Sequence, residues 1–502
     1  MRLSWNLFAG LTNSAWTAIV GLAATPFYLR YLGIEAYGLI GFFTTVLALL
    51  QLLDLGLSPA MSRQVARDPA GGKALGVRNL LRSLELVYWG IAFLLGALVV
   101  ISAGWIGRHW LQSTHLAQDE VVHAIMLMGL VMAARWSIGL YLGALMGAQR
   151  VVVASGIAIA MTTISAMGAI LVLAFISPTI NAFFLWQAGM GLVYVLAMRW
   201  SAWRVLGGQA GAQFDRQEVL GVWRFSAGLT GVAISGVILS QLDKVLLSRL
   251  VGLDGFGRYM LSTTLAGGLY LLVTPVFNVM YPRFSALVAS NEIDRLTELY
   301  KLGTRFIASL LFPVAMTIAL FAQPLMRLWT GNPALAESAA PVVSLLILGG
   351  AIHGVMYFPY ALQLAFGKPR LALLINAVLI VFMVPVTVML TLRYAESGAA
   401  MAWLILHVFY LFLGTWWTHR YLLRGQGMRW LLRDIGTPLC ASLVVVLLAS
   451  RITFIHDVGT GYGVLLHASI VAFAATLLSL AFSRQLRSSL LDNLNLKSGW
   501  RR

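Results

Sequence analysis

From residue 5 to residue 482 the chain is a succession of long apolar stretches parted by short polar turns. Fourteen can be marked, at 5–31, 36–61, 83–106, 121–147, 151–176, 180–203, 223–250, 256–282, 303–326, 340–366, 370–393, 397–421, 431–451 and 461–482. Each is long enough to cross a bilayer, which takes about 20 apolar residues as a helix, several of them with tilt. Charged residues are only 11% of the chain and mean hydropathy is +0.84, whereas a soluble domain is about 25% charged. The expectation is an all-α polytopic membrane protein of about 14 transmembrane helices, its 502 residues counting spans rather than globular domains. The first stretch is too long and too polar for a cleavable signal peptide and reads as a retained span. The single cysteine, Cys440, lies in an apolar run and is expected to be a small packed residue.

The formal charge of +17 could point to nucleic acid, but cationic loops on one face of a membrane give the same total. Distribution decides. With the N-terminus placed in the cytoplasm, alternate connections carry 26 lysines and arginines on the cytoplasmic side against 7 opposite. The positive-inside rule thus favours fourteen spans with both ends cytoplasmic, and no basic domain is left to bind nucleic acid. The loops are short. In "RQVARDPAGGKALGVRNLLRS" the second part is either an amphipathic helix on the inner surface or a plain solvated turn.

The turns contain a repeat. "LGIEAYG" (Leu32–Gly38) returns as "VGLDGFG" (Val251–Gly257), offset 219. "LGALMGAQR" (Leu142–Arg150) aligns with "LQLAFGKPR" (Leu362–Arg370), and "SPAMSRQ" (Ser58–Gln64) with "NVMYPRF" (Asn278–Phe284), both at offset 220. Three matches in register within one residue imply two copies of a six-helix unit. We draw an N-lobe at 1–204, a cytoplasmic linker at 205–222, a C-lobe at 223–424, and a final helix pair with a cytoplasmic tail at 425–502. Six is even, so both copies enter from the same side. They are parallel repeats, the arrangement of transporters that hold substrate between two rocking halves. The alternative is a duplication kept only for structure. Glu35 and Asp254 are expected to cap the helices that follow the repeated turns, with Tyr37 and Phe256 anchored near the interface at the outer corners of the lobes.

Several segments carry a family resemblance. "PFYLRYLGIEAYGLIGFFTTVLALLQLLDLGLSPAMSRQVAR", "QLDKVLLSRLVGLDGFGRYMLSTTL", "LAFGKPRLALLINAVL" and "ESGAAMAWLILH" together resemble the Wzx-type flippases of polysaccharide biosynthesis. These belong to the multidrug/oligosaccharidyl-lipid/polysaccharide (MOP) exporter superfamily. The resemblance covers most of residues 1–425. It implies an inverted-V bundle in the bacterial inner membrane. Its substrate would be an undecaprenyl-diphosphate-linked oligosaccharide moved from the cytoplasmic to the periplasmic leaflet, for O-antigen or exopolysaccharide synthesis. A glycan polymerase and a chain-length regulator are the implied protein partners. The chain departs from the family pattern in carrying few charges on its spans.

Charges within spans are costly and usually face a cavity or a partner. Asp54 shares a helix face with Gln51 and Ser58 and is either a coupling or gating carboxylate or a structural cap. Arg135 either binds the diphosphate bidentately or pairs with Asp54 or with backbone carbonyls. Asp243 and Lys244 point about 100° apart on span seven. We expect Lys244 toward the cleft and Asp243 against span one or eight. Arg30 and Arg249 are the further cationic candidates for substrate contact. Sugar platforms are sought at Asn13 and Trp16, at Tyr357, Tyr360 and Gln363, and at Trp403, the alternative for each being packing or interfacial anchoring. His353 and His407 are candidates for coupling to H+, Na+ being the other ion considered. Pro26, Pro275, Pro313, Pro359 and Pro385 either hinge their spans or simply shape the bundle.

No Walker A run, clustered metal ligands or long outer loop with paired acids occurs, so neither cofactor nor metal is expected. The readings held beside the flippase are a cation-coupled small-molecule or drug antiporter of the same superfamily, which would want an acidic cavity, and a membrane glycan polymerase. A lipid II flippase is a close variant of the first.

Overall fold

The computed structural model describes residues 2–54, 56–67, 74–220, 230–451 and 461–481. Lys73, Arg224, Arg484, Arg487, Lys497, Arg501 and Arg502, all counted in the loop-charge argument, lie outside the described residues, as does the end of the expected linker. No strand occurs among the described residues, and eleven of their helices are long and apolar enough to cross a membrane.

The helices run as follows. α1 (Arg2–Leu50) is followed by a 3-10 turn (Gln51–Asp54), α2 (Leu57–Ala66) and α3 (Ala74–Trp105), which ends in a π segment (Ile106–Trp110). Next come α4 (Gln118–Trp136), α5 (Ile138–Gly147), α6 (Val151–Phe175), α7 (Ile180–Val205), α8 (Thr230–Leu250) and α9 (Leu253–Gly267). The chain continues through α10 (Tyr270–Ala289), α11 (Ile293–Leu320), α12 (Ala322–Thr330), α13 (Pro333–Ala365) and α14 (Pro369–Tyr421). α15 (Gly427–Arg429) passes through a π segment (Trp430–Gly436) into α16 (Thr437–Arg451), and α17 (Tyr462–Ala481) ends the described chain.

Two of these helices are hairpins. α1 is interrupted at Gly33, whose φ of 81° is open to glycine without a Cβ clash, and α14 at Ala395 (φ 49°). The rings of Phe382 and Phe409 lie 4.8 Å apart although 27 positions separate them, so the limbs of α14 fold back on each other. The helices continue through all five prolines named as possible hinges; the turns fall elsewhere. The candidate surface helix after Arg63 is the beginning of α3 where it is described.

Packing divides the chain into two compact units, 1–260 and 261–502. The expected lobes follow the sequence register; the packing boundary falls later, inside α9. In the first unit α1 packs on α6, α3 on α4, α4 on α7 and α2 on α5, around a core that includes Leu80, Leu84, Met61, Leu140 and Met198. In the second, α13 packs on α11 and α14, and the final helices α16 and α17 pack on α11. Large apolar side chains such as Phe93, Ile101 and Phe175 point outward, as a lipid solvent permits. Cys440 is exposed rather than packed, because α16 turns that face away from its neighbours.

The repeated turns meet inside the first unit. A Cβ on Gly38 would lie 2.6 Å from the carbonyl oxygen of Leu253, and one on Gly257 would strike the carbonyl of Ile34. Only glycine allows so close an approach at both points. The expected roles of their neighbours need correction. Glu35 does not cap its own helix: it is buried and accepts from the backbone amides of Thr114, His115 and Leu116, at 2.9 to 3.1 Å, because that loop presents three free N–H groups to it. Tyr37 and Phe256 are buried beside the glycines rather than anchored at an interface. Asp254 does sit in the first turn of its helix, paired with Arg258 at 2.9 Å.

Candidate functional site

In the first unit, the two limbs of α1 with α4, α6 and α7 enclose a cavity of about 410 Å³. Arg135, at the end of α4, reaches into it. Its Nη2 donates to Oε1 of Gln187 at 2.6 Å, and the hydroxyl of Ser165 donates to the same oxygen at 2.8 Å. The guanidinium carbon lies 6.0 Å from the centre of the Phe43 ring, an attraction of cation and π face. Tyr28, Tyr194, Thr17, Thr44 and Thr162 complete the polar lining. No aspartate or glutamate lines the cavity, and Arg135 forms no ion pair among the described residues. Its Nε is buried without a hydrogen-bond partner. A guanidinium offers five N–H donors, and a buried one left idle costs roughly 1–3 kcal/mol.

The remaining sequence candidates in this unit lie elsewhere. Asn13 and Trp16 do not line the cavity; Trp16 donates to Thr163 at 2.8 Å, and Oδ1 of Asn13 is buried without a partner. Arg30 and Arg249 are exposed. Gln51, Asp54 and Ser58 do not share one helix face, because the helix breaks between Asp54 and Leu57, with Gly56 at φ 80°. Asp54 instead accepts from the Ser58 amide at 3.3 Å and from the Tyr88 hydroxyl, in the manner of a cap on α2.

The expectation for Lys244 is also corrected. Both Lys244 and Asp243 are buried, and the ammonium donates to the two carboxylate oxygens at 3.2 and 3.4 Å and to Ser240 O at 2.7 Å. Adjacent Cβ atoms diverge, but the four-carbon lysine stem is long enough to curl back. Asp243 also accepts from Tyr259 on α9.

In the second unit two helical pairs named from sequence converge. His353 and Tyr357 on α13 have ring centres 5.3 Å apart, and Trp403 and His407 on α14 have theirs at 4.3 Å. The two histidines bring the pairs together, 4.6 Å between ring centres. Tyr270 hydrogen-bonds Nδ1 of His353 at 2.6 Å, and Nδ1 of His407 faces the Trp403 carbonyl at 2.8 Å. Tyr360 stacks on Phe277. Gln363 is drawn out of this group, donating to Thr418 at 2.8 Å.

Sequence reasoning missed Gln187, Tyr28 and Tyr194, and also Glu85. That buried carboxylate on α3 accepts from Arg199 at 2.5 Å, Tyr141 at 2.7 Å and Arg82 at 3.0 Å. The spacing of Arg82 and Glu85 (i,i+3) was the available signal.

Comparison with known proteins defines the class. The fold is that of lipid II flippase MurJ in an inward closed conformation, with TM-score 0.70 at 13% identity over 95% of this chain and 98% of that one. An inward-facing multidrug resistance MATE transporter of the MOP superfamily matches with TM-score 0.61 at 15% identity, over 83% and 95% of the two chains. A mutant of the Vibrio cholerae MATE transporter VcmN matches at 0.58 and 14%, over 84% and 97%. In sequence, the succinoglycan biosynthesis transport protein ExoT of Rhizobium meliloti (strain 1021) is 30% identical over 140 residues, 28% of this chain and 28% of that protein. The molecule is a multi-pass membrane protein, and the relatives and neighbours it resembles are named as transporters and flippases. The profile of the polysaccharide biosynthesis protein family matches residues 6–288, more than half of the chain, and the chain belongs to that family.

Proposed function

We propose that the protein is a flippase for undecaprenyl-diphosphate-linked oligosaccharide. It carries the lipid from the cytoplasmic to the periplasmic leaflet of a bacterial inner membrane by alternating access, through fourteen spans in two repeated lobes with both termini cytoplasmic. The observation that carries this reading is Arg135, a cation lining a cavity without carboxylates. A diphosphate supplies the acceptor such a group lacks, and an arginine takes it bidentately. The kinship with ExoT favours an exopolysaccharide or O-antigen repeat unit as the sugar. Tyr28 and Tyr194 beside Arg135, and the Tyr357–Tyr360–Trp403 group, are the sugar platforms. The His353–His407 pair is assigned to proton coupling, with Asp54 as a further gating group. A polymerase and a chain-length regulator receive the product.

A leaflet-resolved assay tests this. In a deletion strain, lipid-linked repeat units should accumulate on the cytoplasmic face and surface glycan should be lost. A normal, periplasmically exposed pool refutes the proposal. Uptake of a cationic drug driven by an ion gradient would support the antiporter reading instead.

A further inference from the structure

The hairpin in α14 creates a second feature that transport leaves unused. Because the helix folds back at Ala395, its first turn and its last turns line one cleft of about 550 Å³. Lys368 and Arg370 stand at one side, Trp417 and Tyr421 at the other. Trp417 and Tyr421 are four residues apart and so share a face. No carboxylate lines the cleft. Lys368 and Arg370 are exposed, and neither side chain makes an ion pair or hydrogen bond among the described residues. The positive end of the α14 dipole adds to their field.

The cleft also has an apolar exit. Leu371 and Leu374 are part of its lining. From Leu374, the outward-facing Val378 and Val381 follow at i+4 and i+7, forming an exposed apolar lane along the helix. Cations and amphipathic aromatics at the end of a span mark headgroup depth. By loop charge this end faces the cytoplasmic leaflet, where anionic lipids attract such residues.

We propose that this cleft binds the headgroup of an anionic glycerophospholipid, with its phosphate on Lys368 and Arg370 and an acyl chain along Leu374, Val378 and Val381. A free phosphate would use the cations and gain nothing from the apolar lane. A polyprenyl diphosphate shares the phosphate chemistry, and the test separates it. The proposal does not depend on the flippase reading.

The test is native mass spectrometry of the full-length protein with phosphatidylglycerol or phosphatidylcholine of identical chains. Lys368→Gln combined with Arg370→Gln is compared with Arg150→Gln, which alters the matching position of the first repeat. With each basic residue near the surface worth about fivefold in affinity, the site should prefer phosphatidylglycerol by about 25-fold. The double variant should lose that preference and Arg150→Gln should keep it. Both substituted side chains in the double variant are exposed, and an unchanged melting temperature in phosphatidylcholine verifies folding. The proposal is overturned if the double variant keeps the preference. It also fails if inorganic phosphate displaces the lipid, or if undecaprenyl diphosphate occupies the site and phosphatidylglycerol does not.

Discussion

Two cations carried on helices of the first unit have opposite surroundings. Lys244 is closed off by Asp243 and Ser240, its charge answered within its own helix. Arg135 has an amide oxygen, an aromatic face and an open cavity, with no carboxylate. The difference is between a charge with a carboxylate against it and one without, and on the proposed reading only the second is open to a ligand. Sequence position does not distinguish them, since both lie in apolar helices.

The largest effect should come from breaking the closed pair. Asp243→Ala removes the counter-charge of the buried Lys244 ammonium and should destabilise the protein by about 3–5 kcal/mol, whereas Asp243→Leu with Lys244→Met should recover most of the loss. Thermal unfolding of the purified protein in detergent reads both, and an Asp243→Ala melting curve matching wild type would mean that the pair is not structural. Arg135→Ala should do the reverse, leaving unfolding nearly unchanged. Transport should drop by roughly 10- to 100-fold, from lost charged hydrogen bonds of about 1.5–3 kcal/mol, and Arg135→Lys should restore part of it. Full activity in Arg135→Ala removes the site assignment.

A smaller effect is expected at the partner that aims the guanidinium. Gln187→Leu removes the acceptor of Arg135 and Ser165 and should lower transport by about fivefold, as one hydrogen bond near 1 kcal/mol would; the rate in a leaflet assay decides. The smallest belongs to a pair outside the spans. Burial would raise the Asp254 carboxyl, but the Gly255 amide and Arg258 outweigh it and hold the group below the usual range. A depressed folded value means the contribution is present at neutral pH and fades as pH falls below the ordinary aspartate value of about 4. Asp254→Asn should therefore be slightly destabilising at pH 7 and approach wild type as pH falls through the depressed folded value, by unfolding midpoint across an acid series.

The class of fold was legible because apolar length is a direct consequence of the bilayer. Arg135 was legible for the same reason, since a cation in a span needs a purpose. Its neighbours were not: Gln187, Tyr28 and Tyr194 are single polar residues whose convergence depends on how α1, α6 and α7 pack. The pairing of Lys244 was misread because helical geometry directs Cβ, not the end of a flexible stem. The shared face of Gln51, Asp54 and Ser58 was misread because the helix breaks beside Asp54, whereas its alternative role as a cap was among the readings. Among the aromatics, each i,i+4 pair was readable, while the meeting of His353 with His407 required the register of two helices.

The contact between Gly38 and Gly257 joins equivalent residues of a repeated motif, each reaching toward a carbonyl four residues before the other, that of Leu253 or Ile34. In symmetry terms it is an isologous interface written within one chain. In a homodimer any side chain added there would be added on both sides at once. Here the two positions are separate codons, so one can be widened while the other stays fixed. The surrounding residues have already diverged in this way: Glu35 grips the loop at Thr114, whereas Asp254 holds only its own helix and Arg258. Duplication has turned a symmetric joint into one whose two sides can be tuned independently.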